Sequence, residues 1–329
     1  MSVTFEFEEK FYSEEKRCGF IVPELMKRCW GSQLKVLEEF DKVCQRHSLK
    51  WFAFVGTLLG AVRHGGFIPW DDDVDIGMLR EDYTKFLSVA PAELPPGYVI
   101  TNYNEGDHNY DCLTRVTNSK NVIFDPARLE KYCDFPFPAG IDLYPLDYVV
   151  EDEEERNIHK EIHYTIHQTT ELCAKILSGS GTQYDKDGNR LEPSEMLAKI
   201  TMMTGYEFDL EKDIIRQLNV LLDMTDSMNT YEESAYAANM GHLTFDGEKM
   251  MFPKECFGDV LEVPFETGKI YIPAGYEIML RQNFGPRYMV PLNRPSHDYP
   301  YYAAQQKVVR DYIKTHPGEI PDEWIAKYL

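Results

Sequence analysis

Residues 51–78 read WFAFVGTLLGAVRHGGFIPWDDDVDIGM, and the fold is decided within them. The run 51–55 is aromatic and β-branched, the composition of a strand, and it ends at Gly56-Thr57. Residues 58–64 have helical composition and close on Gly65-Gly66, a helix stop. After Ile68-Pro69-Trp70, the acids Asp73 and Asp75 alternate with Val74, Ile76 and Met78, as in a half-buried strand running from 71 to 78. Asp73 and Asp75 are therefore expected on one face.

Asp71, Asp72, Asp73 and Asp75 place four carboxylates within five residues, alternating with side chains that want burial. Such repulsion calls for a cation. Mg²⁺ suits the set, with Mn²⁺ as the substitute ion, because it takes few carboxylates and completes its shell with water and substrate phosphates. An EF-hand calcium loop fits positions 1, 3 and 5 but fails next, where Ile76 replaces the required Gly and Asp82 stands at the twelfth position. Asp73-Val74-Asp75 also satisfies the Asp-x-Asp string of metal-dependent glycosyltransferases, a short and unspecific match. Context separates the readings. Gly56-Thr57 closes a strand and opens a helix, whose free amides suit a phosphate, and Ile141-Asp142-Leu143 offers a third carboxylate from another apolar strand. Together these are the layout of polymerase-β-type nucleotidyltransferases. The expected fold is α+β, a mixed sheet flanked by helices and carrying a helical insertion. Arg63 and Arg115 read equally as phosphate contacts or as ion-pair partners of the aspartates, and His64 reads as a helix-end cap.

Working outward, residues 23–47 repeat apolar positions at helical spacing, with a break expected near Gly31. Helices are expected at 82–90, 151–177, 194–203, 210–224, 274–284 and after 295, and strands at 98–103, 113–117 and 140–146. A hairpin is expected at 262–272 about Glu266-Thr267-Gly268, and a polar loop at 179–189. The organisation is thus a catalytic core at 1–150, a helical insertion at 151–238, and a segment 239–329 that completes the core. His159, His163 and His167 recur every four residues; beside the stripe Ile158, Ile162 and Ile166 they read as flanking a buried face and not as a zinc site.

The 329 residues carry 34 Lys and Arg against 55 Asp and Glu, a net charge of −21, which argues against a nucleic-acid ligand. The longest apolar run, 51–62, falls short of the ~20 residues of a membrane span. Seven scattered cysteines form no metal or disulfide pattern, and the N-terminal residues lack the basic-then-apolar order of a signal peptide. The expected address is the cytoplasm.

The stretch from Gly56 to Ile76 resembles the signature of the LicD family, which includes the fukutin-related proteins. Gly140-Ile141-Asp142-Leu143-Tyr144-Pro145-Leu146-Asp147 is similar to its second block, and Val263-Pro264-Phe265-Glu266 with Ile272-Pro273, Phe284-Gly285 and Tyr288-Met289 to its third. The likeness spans about residues 35–297; Asn121-Val122 stands where the family commonly has Thr. It implies a nucleotidyltransferase-like fold. It further implies transfer of a phospho-alcohol, most often phosphocholine, from a CDP-linked donor to a sugar hydroxyl of a surface glycan such as lipopolysaccharide or teichoic acid. By position, Asp73, Asp75 and Asp142 become the catalytic, metal-binding acids, with Asp142 open as ligand or base. Gly56, Thr57, Arg63, Trp70 and Arg115 become the substrate contacts. The implied partners are a CDP-alcohol and a glycan or lipid-linked glycan, reached by peripheral membrane association. Transfer of ribitol or glycerol phosphate, an Asp-x-Asp sugar transferase using a UDP-sugar, and a non-catalytic binding module remain the other readings.

Overall fold

The glycine-rich run and the acids after it fold as strand, helix, loop and strand in a computed structural model of the chain, which describes residues 2–102, 113–179, 192–292 and 299–329. The expected loop 180–189, Tyr103 and residues 295–298 lie outside the described residues.

In chain order the first elements are β1 (Glu15–Arg17), β2 (Phe20–Val22), α1 (Glu24–His47), β3 (Phe52–Ala53), α2 (Val55–His64), β4 (Asp75–Leu79) and α3 (Arg80–Glu93). β5 (Val99–Thr101), β6 (Thr114–Thr117), α4 (Pro126–Lys131) and β7 (Gly140–Val149) follow. Then come α5 (Glu153–Leu177), α6 (Pro193–Thr204), α7 (Ile214–Asp226), β8 (Tyr236–Ala238), α8 (Met240–Asp246) and β9 (Met251–Pro253). The chain ends in β10 (Val260–Phe265), β11 (Gly268–Pro273), α9 (Tyr276–Phe284), α10 (Tyr302–Thr315) and α11 (Asp322–Tyr328). A mixed sheet runs in the order β3-β4-β7-β6-β5, with β8 added to β7 and β9 to β8. No helix among the described residues is long and apolar enough to cross a membrane.

The fold comprises two units. The first is built from residues 1–100, 115–143 and 259–329, the second from 101–114 and 144–258. In the first unit α1 supplies the central core stripe, with Trp30, Leu34, Leu37 and Phe40 buried. The helix runs unbroken through Gly31, contrary to the expected break. Glycine is required there for close packing, since a Cβ would lie 2.9 Å from Cys133 Sγ. The strand expected from residue 71 begins only at Asp75. The Asp71 and Asp72 carbonyls are taken by the α1 side chains Trp30 and Gln33, at 3.0 and 2.7 Å, so this stretch has no strand partner on that edge. β10 and β11 form the expected hairpin, with β11 starting at Gly268 and Glu266 at φ +49° in the turn.

In the second unit α5 is capped by Asp152, which accepts the Glu155 N–H, and its first turn carries three acids that suit the helix dipole. Ile166, Ile200, Ile215 and Leu218 from α5, α6 and α7 form its core. The histidine stripe faces inward together with Ile162 and Ile166 of the isoleucine stripe. His163 is fully buried with Nδ1 2.9 Å from Asp226 Oδ1, whereas Ile158 is 56% exposed. A carboxylate on α7 gives His163 a polar partner, which lets the imidazole be buried beside the isoleucine face.

Candidate active site

The turn from β3 into α2 sets the site. Val55, a β-branched residue, holds φ at +36°, a strained conformation that lets the chain pass from strand to helix without a spacer. Gly56 follows, and its N–H donates to Asp75 Oδ2 at 3.2 Å. Thr57 Oγ1 accepts the Asp75 N–H at 2.8 Å, so the helix start fixes the first residue of β4 by both backbone and side chain. A Cβ on Gly56 would lie 2.7 Å from Asp71 Oδ2 and 3.3 Å from Asp75 Oδ2. The glycine is a gap that two carboxylates fill.

Asp75 is 5% exposed. Its carboxyl is pushed well above the usual carboxylate range by burial and then by the nearby charges of Asp73, Asp71 and Asp142. Asp71 is shifted the same way by burial, then by Asp73 and Asp72. Asp142 lies on β7, whose amide there donates to the Val74 carbonyl at 2.9 Å and so draws the third strand's acid to the other two. Asp71 thus stays in the acidic group, beside the three acids that the resemblance implies as metal ligands. Asp72 turns the other way: its carboxylate accepts the Tyr301 N–H at 2.6 Å and is buried.

A cavity of about 380 Å³ opens beside these acids, walled by Gln33, Asp73, Arg115, Thr117, Asp142 and Tyr301. Arg115 Nε stands 3.3 Å from Asp142 Oδ1 within it. Gly56, Asp73, Asp75, Asp142 and Arg115 are therefore brought together. Arg63 and Trp70 are placed differently. Arg63 donates to the Tyr288 carbonyl at 3.0 Å and to His64 Nε2 at 2.8 Å, so His64 is an acceptor for Arg63, and Gly65 ends the helix. Burial, then Arg63 and Arg17, lower His64 to about 4, which keeps it neutral. Trp70 is buried against Phe20 and His64. Gln33 and Tyr301 were missed. Gln33 had one signal, a polar residue on the apolar stripe of α1 between Trp30 and Leu37.

Ionised carboxylate oxygens are the donors a hard divalent cation requires, and such a cation would offset the burial and mutual repulsion that raise the Asp71 and Asp75 carboxyls. Asp71, Asp73, Asp75 and Asp142 fit one in that sense. Among the described residues, no three His, Cys, Asp or Glu side chains already stand in finished ligand geometry.

The loop joining α2 to β4 is held from outside by Glu266. Its N–H donates to the Gly65 carbonyl at 2.8 Å, its Oε1 accepts the Phe67 N–H at 3.0 Å, and Arg17 grips both carboxylate oxygens at 2.5 and 2.9 Å. Arg17 itself lies over the Trp30 ring, whose indole N–H holds Asp71.

Residues 48–171 match the family model described as LicD/FKTN/FKRP, nucleotidyltransferase domain. Over 95 residues the chain is 37% identical to the lipopolysaccharide cholinephosphotransferase LicD of Haemophilus influenzae, covering 26% of this chain and 36% of that protein. Over 70 residues it is 37% identical to the human ribitol 5-phosphate transferase FKRP, covering 20% of this chain and 14% of that protein. The matched segments span about a third of the bacterial relative's length and less of the human one.

Proposed function

We propose that this chain, which carries a LicD/FKTN/FKRP nucleotidyltransferase domain over residues 48–171, transfers phosphocholine from a CDP-linked donor to a sugar hydroxyl of a cell-surface glycan or its precursor. The observation that carries the reading is the gathering of Asp73, Asp75, Asp142 and Arg115, from three strands and the segment leading into one of them, beside the Gly56 turn and one cavity.

In this reading Arg115 receives the donor's phosphate oxygens from the cavity wall, where its planar guanidinium suits them. Asp142, 3.3 Å from Arg115, accepts the proton of the attacking sugar hydroxyl. The sugar oxygen bonds to the β-phosphorus in line with the departing oxygen, the bond to the α-phosphate breaks, and CMP leaves with the electron pair. A divalent cation held by Asp73 and Asp75 would neutralise charge on that leaving group. Thr57 and Gly56 keep Asp75 in place through its N–H and carboxylate. Arg63 acts as a fastener of the α2 end on Tyr288. The same chemistry with ribitol phosphate as cargo is the second reading, favoured by the match to FKRP.

The test is CMP or UMP release from CDP-choline, CDP-ribitol, CDP-glycerol and UDP-glucose with a glycan acceptor, with Mg²⁺ and again with EDTA. The expected result is CMP release from CDP-choline that EDTA stops. Release from CDP-ribitol alone transfers the assignment to the second reading. Release only from UDP-glucose overturns both, as does the absence of release from every donor.

A further inference from the structure

We infer that Gln33 reads the base of the donor nucleotide, accepting from an exocyclic amine and so selecting cytosine over uracil; this rests on the CDP-donor reading above. Gln33 is 3% exposed and walls the cavity that also holds Asp73, Arg115 and Asp142. Its amide orientation is fixed. The atom 2.7 Å from the Asp72 carbonyl oxygen has to be the nitrogen donor, because two acceptors at that distance repel. Oε1 is left buried without a hydrogen-bond partner.

A buried acceptor with no donor is a rare and unfavourable feature. The structural duty of this side chain, holding the Asp72 carbonyl and through it the acidic segment, uses only one N–H. The neighbouring α1 positions Trp30, Leu34 and Leu37 are apolar, so burial alone does not call for glutamine here. What remains is one acceptor, Oε1, and the second N–H of Nε2, side by side. Cytosine presents the complementary pair along its pairing edge, an amine donor at C4 beside the N3 acceptor. Uracil presents the reverse, a carbonyl beside N3–H, and would set oxygen against Oε1. Turning the amide over to suit uracil would break the bond to Asp72. The lock on Nε2 is therefore what makes the position selective.

The experiment is calorimetric titration of the full chain with CDP, UDP and the 4-deamino analogue of CDP, each with Mg²⁺. A matched bidentate amide–base pair discriminates by about 5- to 150-fold. The wild type is expected to bind CDP more tightly than UDP by a factor in that range and to lose a similar factor when the 4-amino group is deleted from the ligand. Gln33→Leu is expected to weaken CDP binding and bring the CDP-to-UDP ratio towards one. The deamino ligand keeps the inference testable on the wild type even if the variant does not fold. Equal binding of CDP, UDP and the deamino analogue by the wild type, or a folded Gln33→Leu that keeps the wild-type ratio, overturns it. If CDP-choline is turned over in those cases, only the role of Gln33 falls. If no nucleotide binds, the donor reading falls with it.

Discussion

Glu266→Ala removes the carboxylate that ties the β10–β11 turn to the loop entering the acidic segment. The Glu266 side chain is 4% exposed and paired to both Arg17 nitrogens, and it is the acceptor for the Phe67 N–H. Breaking a desolvated pair from one side costs about 3–5 kcal/mol, because the other charge stays behind. Arg17 is a quarter exposed and next to Glu15, so water and that neighbour take up part of its charge. The lower end, about 3 kcal/mol, is expected. That is a large share of a typical ~5–15 kcal/mol stability. Glu266→Gln keeps an acceptor for Phe67 and one bond to Arg17, and about half that loss is expected. Urea unfolding of Glu266→Ala, Arg17→Ala and the double variant gives the coupling between the two side chains, expected near 2 kcal/mol. Turnover should fall in Glu266→Ala under conditions where the protein is still folded, since residues 65–70 lead directly into Asp71–Asp75. Additive losses within about 0.5 kcal/mol would refute the pairing, and unchanged turnover in a folded variant would refute the link from the hairpin to the site.

Asp75→Asn should reduce turnover by at least about 100-fold while stabilising the metal-free protein. The Asp71 and Asp75 carboxyls are raised above their unfolded value of 3.8, so their contribution is complete below about pH 4 and is lost as pH climbs through the folded values. Thermal unfolding in EDTA from pH 4 to 8 should therefore fall less steeply for the variant, and a slope identical to wild type would contradict the burial of this acid. Gly56→Ala puts a methyl 2.7 Å from Asp71 Oδ2, which should lower kcat more than about tenfold with a modest change in Tm; wild-type kcat would show that the carboxylates yield freely. Burial and then Arg17 push Lys27 down from 10.5 to about 8, so stability rises with pH between those values, and the charged ammonium costs about 3 kcal/mol below them. Lys27→Met should gain about 1–3 kcal/mol at pH 7, less whatever the Glu15 ion pair and the Phe11 ring contact contribute, and should lose that pH dependence in urea unfolding; a variant less stable than wild type at pH 7 would refute it.

The sequence made the strand–turn–helix at 51–64, the acids at 73, 75 and 142 and the β10–β11 hairpin legible, because each is a local pattern: alternation, a helix stop, a two-residue turn. The helical register of α5 and Ile166 on its inward face were legible too, yet the burial of His163 was not, since its partner Asp226 comes from 63 residues away. The start of β4 was misread for the same reason. Alternation at 71–78 predicts a strand, but Trp30 and Gln33 take the carbonyls a partner strand would use. Asp71 and Asp72 could not be told apart from composition, since one faces the acidic group and the other faces Tyr301. The short β1, β2, α4, β8, α8 and β9 have too few residues to show a period.

α1 has a double duty that hydropathy obscures. Its stripe of Trp30, Leu34, Leu37 and Phe40 reads as core and is core. Yet Trp30 and Gln33 are also the donors that hold the Asp71 and Asp72 carbonyls, and Trp30 lies under Arg17, the partner of Glu266. The acidic segment is thus clamped by α1 on one side, by Thr57 and Gly56 at its entry to β4, and by Glu266 through the loop that precedes it. A set of carboxylates that repel one another in a buried place works against folding and would move apart if its backbone were free. Fixing the backbone at three points transfers that repulsion to the side chains, where only a cation or protons relieve it. Strain at Val55 and the crowding at Gly56 follow from the same demand, since both arise where the chain must bring α2 against Asp75 without a longer turn. The clamps, rather than the acids alone, are what keep these carboxylates gathered in one buried place.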